Sequence, residues 1–135
     1  MVSVQFETTH GVFEGTFRSG TIVQALVGAL PLSAVVNRWG EEIYFDVPVK
    51  MANSEPTRDV TVGDIGYWPE GPSLWIFFGK TPASKGHEPR PASDITIVGH
   101  TDAPVELLRT IAAGIRMRVG LVHQPAPKAR VPRQA

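Results

Sequence analysis

Apolar and polar positions alternate from the start of the chain. Val2, Val4 and Phe6 are interleaved with Ser3, Gln5 and Glu7, the period of a strand with one buried face. Thr8-Thr9-His10-Gly11 turns the chain, and Val12 to Phe17 predicts the returning strand of a hairpin. The period then becomes helical. Ile22, Leu26 and Leu30 share one face, Val23 and Val27 widen it, Ser19 stands where an N-cap is needed, and Pro31 ends the run. Leu32 to Arg38 and Ile43 to Val47 predict a second hairpin that turns at Trp39-Gly40-Glu41-Glu42. Tyr44 and Asp46 share one face of its second strand, and Ile43, Phe45 and Val47 share the other.

After a polar loop at Lys50 to Thr57 and a short strand or lead-in at Arg58 to Val62, the chain reaches its densest aromatic stretch, Gly63 to Gly79. Ile65 to Trp68 and Leu74 to Phe78 predict paired strands, reversed by Pro69-Glu70-Gly71-Pro72. Trp75 and Phe77 share one face there, while Leu74, Ile76 and Phe78 share the other. Lys80 to Ser93, with three prolines, is a long loop without regular structure, a length that in compact domains usually means function or disorder. Asp94 to His100 is a further strand. Ala103 to Gly114 predicts a second helix with Asp102 as its cap, and Ile115 to Val122 is a last strand. The result is one domain over residues 1–122, mainly β, with about eight strands and two helices, followed by a basic, proline-rich tail at 123–135.

Composition narrows the class. The net charge is zero, and Lys128, Arg130 and Arg133 lie in the tail, so the body is slightly acidic and carries no basic face for nucleic acid. No apolar run is long enough to span a membrane, and no basic start leads into an apolar stretch, so a cytoplasmic, soluble protein is expected. Zero cysteines exclude disulfides, thiolate metal sites and a cysteine nucleophile. His10, His87, His100 and His123 have no paired ligand spacing, and no glycine-rich phosphate cradle is present, so neither a metal nor a cofactor is expected.

The element order implies a closed antiparallel barrel with a helix over each open end. RWGEEIYF at 38–45, GDIGYWPEG at 63–71, IFFGKTPAS at 76–84, ITIVGHT at 95–101 and the final helix and strand resemble the small prokaryotic cyclophilin-like proteins of unassigned function, over about Val2 to Val122. The resemblance implies the barrel and a prolyl isomerase as one activity, with Arg38 on the strand of the family's arginine and Phe77 or Phe78 as its phenylalanine. The FHR and QGGD signatures of cyclophilins are absent.

Candidate site residues follow from chemistry and position. Arg38, Trp39, Tyr67, Trp68, Phe77, Phe78 and Arg90 are candidates for an aromatic groove that binds a small molecule or a proline-containing peptide. Glu42, Tyr44, Tyr67 and His100 are candidates for acid–base chemistry, in the neighbourhood of Glu41 and Asp46. A binder requires an apolar concavity, whereas an isomerase or lyase acting on a metabolite also requires a buried carboxylate or histidine facing it. A homodimer surface is the third reading and would be broad and flat.

Overall fold

The computed structural model describes residues 1–122, so the tail expected at 123–135 lies outside the described residues. Within them the elements run β1 Val2–Thr8, β2 Gly11–Phe17, α1 Thr21–Gly28, β3 Leu32–Val35, β4 Asn37–Arg38, β5 Glu42–Asp46, β6 Asp64–Trp68, β7 Ser73–Phe77, β8 Thr96–Thr101, α2 Val105–Arg109 and β9 Arg116–Leu121. The strands form one antiparallel sheet in the order β3-β9-β1-β2-β8-β6-β7-β5-β4. It curls into a nearly closed barrel whose two ends, β3 and β4, are joined by the chain itself through Val36. No helix among the described residues is long and apolar enough to cross a membrane.

Inside the barrel lie Phe6, Phe17, Leu26, Ile43, Phe45, Ile65, Tyr67, Leu74 and Ile76, all essentially without solvent exposure. Ile22 and Leu26 of α1 and Leu108 of α2 join this core, so each helix rests its apolar stripe on the barrel. A second, smaller cluster of Val60, Trp75, Phe77 and Ile95 lies on the other face of β7 and is extended by Tyr44, Trp68 and Ile97. β7 is therefore buried on both faces, which accounts for its unbroken apolar run.

Four sequence expectations change. Leu32 to Arg38 is not one strand: Val36 turns fully into the core, its N–H donates to the Ile115 carbonyl at 2.8 Å, and the halves go to opposite ends of the sheet. The hairpin to β5 therefore shrinks to the pairs Asn37↔Tyr44 and Arg38↔Ile43. α1 starts after Gly20 without a side-chain cap from Ser19 and ends before Leu30. α2 begins after Pro104 instead of Asp102 and stops well short of Gly114. Its early end has a visible cause. The Arg38 guanidinium donates to the carbonyls of Arg109 and Ile111 at 3.0 and 3.1 Å, taking acceptors that a longer helix would have paired with its own amides.

Candidate functional site

Alternation along β5 sends Ile43, Phe45 and Val47 into the barrel and Glu42, Tyr44 and Asp46 to the outer face of the sheet. β7 lies beside it with Tyr44↔Trp75 and Asp46↔Ser73 in register, and β6 adds Trp68 opposite Ser73. The loop at 80–93 closes over this face. It is stapled by Thr81, whose hydroxyl donates to the Arg90 carbonyl at 2.6 Å, and by Ser84, whose hydroxyl donates to the Glu88 carbonyl. The stapled loop presents Ala92 and Ser93 to the face.

Between these elements is a cavity of about 370 Å³, walled by Trp39, Tyr44, Trp68 and Trp75, with Glu42, Asp46, Gly71 and Ser73. All three tryptophans of the chain meet here. The rings around Trp75 are inclined to it: Trp68 and Trp75 have centroids 5.3 Å apart at 45°, and Tyr44 and Trp75 are 6.2 Å apart at 57°. The Trp75 indole N–H donates to the Ser73 hydroxyl at 2.8 Å, which holds that ring in place. Gly71 is required by close approach, because a Cβ there would lie 2.8 Å from the Trp68 ring.

Glu42 is the chemically unusual group. Its side chain is 1% exposed, and its Oε1 is buried without a hydrogen-bond partner among the described residues. Burial alone pushes its pKa up to about 8, which favours the neutral carboxylic acid at pH 7. The adjacent Glu41 has the opposite environment. The Arg109 guanidinium donates to both its oxygens, at 2.5 and 3.3 Å, and this pairing holds the Glu41 carboxyl below its usual range.

Of the sequence candidates, Trp39, Glu42, Tyr44 and Trp68 are brought together in this cavity. The others are elsewhere, each for a physical reason. Tyr67 points into the barrel, where its hydroxyl donates to the Val49 carbonyl at 2.6 Å and accepts from the Met51 N–H at 3.0 Å. Phe78 is part of the core, with the Arg38 guanidinium 5.0 Å from its ring centroid. Arg38 itself is committed to the carbonyls of Gly40, Arg109 and Ile111, which leaves it aimed at the end of α2 and not at a ligand. Phe77 lies fully buried beside Trp75 as packing. Arg90 contributes its carbonyl to the loop staple.

His100 borders a separate cavity of about 420 Å³ between β2 and the start of α2. Its two ring nitrogens lie 3.3 Å from Asp64 and 3.1 Å from Asp102. No group of three or more histidine, aspartate or glutamate side chains among the described residues is arranged to hold a metal ion. Trp75, Gly71, Ser73, Ala92 and Ser93 complete the pocket although the sequence reading did not place them in it, together with Asp46, which it named only as a neighbour of the acid–base candidates. The signal for Trp75 and Asp46 was the period-two alternation, which becomes decisive only once the β5–β7 register is known.

Residues 1–120 match the cyclophilin-like family, and the chain belongs to that family. It is similar to the hypothetical protein AF2241 from Archaeoglobus fulgidus, known from a solution structure, at 31% identity over 89% of this chain and 94% of that one, with a TM-score of 0.75. It also shares its fold with McbB, solved in complex with tryptophan, at 12% identity and a TM-score of 0.70; the match covers 98% of this chain but 48% of McbB. No curated protein sequence matches the chain.

Proposed function

We propose that this cyclophilin-like barrel binds a small organic molecule in the Trp39–Tyr44–Trp68–Trp75 pocket and exchanges a proton with it through Glu42. The observation that carries this reading is the Glu42 carboxyl, 99% removed from solvent, lining the cavity and lacking a hydrogen-bond partner for Oε1 among the described residues. Leaving a polar group buried and unpaired costs roughly 1–3 kcal/mol, an expense that a ligand in the cavity would offset. A carboxyl poised near 8 is also matched to general acid–base work at neutral pH, which supports an isomerase or lyase over a passive binder.

Two observations weigh on the alternatives. Arg38 faces the end of α2, so the residue that the cyclophilin resemblance assigns to prolyl isomerisation is not directed at this pocket. The aromatic face is concave and partly covered by the 80–93 loop, which favours a ligand over the flat surface that a homodimer requires. McbB, on the same fold, has been solved with tryptophan, which supports a small-molecule role for the barrel.

The test uses the tryptophans as reporters. A metabolite library is screened by intrinsic fluorescence and thermal shift, and each hit is then followed for turnover by the wild type and by Glu42→Gln. Hits that quench fluorescence and are converted by the wild type alone support the reading. A library that leaves both signals unchanged overturns it.

A further inference from the structure

Resting on that reading, the lining of the pocket identifies the kind of molecule it takes. Four aromatic side chains line the space, three of them with rings inclined to one another, and the acidic side chains among them are Glu42 and Asp46; no lysine, arginine or histidine lines the cavity among the described residues. Ring faces carry negative quadrupole charge and attract a cation within about 6 Å of their centroids. A neutral apolar ligand would use the rings but leave the buried Glu42 Oε1 without a partner, and an anion would meet two carboxyls and four ring faces of the wrong polarity.

We propose that the ligand is a small organic ammonium ion, primary or quaternary, whose charged head stands among Trp39, Tyr44, Trp68 and Trp75 with Glu42 as its buried counter-ion and Asp46 at the rim. The cavity of about 370 Å³ is at the small end of ligand sites, which span roughly 300–1,000 Å³. Binding converts Glu42 from the buried acid to the carboxylate, because a cation in contact favours its charged form. Proton release therefore accompanies binding below about pH 8. The other titratable groups facing Glu42 in the cavity are Tyr44 and Asp46 on its own strand; β7, β6 and the loop face it with Trp75, Ser73, Trp68, Ala92 and Ser93, none of which ionises in this range.

The experiment titrates the full chain with choline against its uncharged carbon isostere dimethylbutanol, and with benzylammonium against benzyl alcohol, reading tryptophan fluorescence. Each cation is expected to bind about ten-fold or more tighter than its neutral partner. Affinity for choline, whose charge does not depend on pH, should rise as pH increases toward about 8 and then level off. Glu42→Gln should remove most of the cation preference while retaining binding of the neutral partner. Asp46→Asn, at an exposed position, provides a second variant and should weaken the cations several-fold. Neutral partners that bind as tightly as the cations, or a preference that survives both substitutions, would overturn the ammonium assignment and leave the small-molecule reading standing. Failure of every probe and of the metabolite library would remove both.

Discussion

Glu41 and Glu42 are chain neighbours with opposite electrostatic environments, and the contrast makes the stability of the protein depend on pH. Glu42 titrates at 4.5 when exposed in the unfolded chain and at about 8 in the folded one. Between those values the native state keeps a proton that the unfolded state has lost, so stability is full below the unfolded value and declines as pH rises toward 8. The unfolding free energy from urea titrations should therefore fall across that window by an amount on the order of a few kcal/mol, and Glu42→Gln should flatten the decline and be the more stable protein at about pH 9. Tyr67→Phe tests the opposite assignment: removing a hydroxyl bonded to Val49 and Met51 should cost about 1–3 kcal/mol and leave ligand binding unchanged. Trp39, Glu42, Tyr44 and Trp68, which line one cavity, were singled out in the sequence by residue type and by their place on or beside the central strands. Tyr67 was singled out on the same grounds but lies in the barrel, since an aromatic phenol reads the same way whether its strand face lines a groove or fills a barrel.

At the scale of the element, β7 shows how one strand serves both clusters. Leu74 and Ile76 lie in the barrel, whereas Ser73, Trp75 and Phe77 lie on the outer face. Ile76→Ala should therefore cost about 2–5 kcal/mol in chemical denaturation. Trp68→Ala on neighbouring β6, half-buried at the wall of the pocket, should cost less and abolish the ligand-induced fluorescence change. The short α2 depends on a side chain from far along the chain. Arg38→Ala should speed amide exchange over 105–111, because the carbonyls of Arg109 and Ile111 lose their donor. This also explains why the end of α2 and the break at Val36 escaped the sequence: both are set by partners more than 70 residues away, and local periodicity carries no trace of them. The loop at 80–93 was legible as irregular, but its staples join Thr81 to Arg90 and Ser84 to Glu88, pairings that composition does not encode.

For the whole molecule, the order of strands and helices in the sequence was sufficient to imply the barrel, since an antiparallel set this long buries its edges most completely by curling. Which face of the central strands would be interior was not implied, because β7 is apolar on both. The site and the core thus share a backbone, and unfolding followed by tryptophan fluorescence and by far-ultraviolet circular dichroism should coincide in one transition. Two separated midpoints would mean that the outer cluster opens independently. The outward position of the pocket has a further consequence for how such barrels diversify. Positions 42, 44, 46, 68 and 73 line the pocket and alternate with those that hold the framework together, so descent can rewrite the lining at one set while the other conserves the architecture. A family built this way can keep a single shape across lineages whose chemistry has nothing in common.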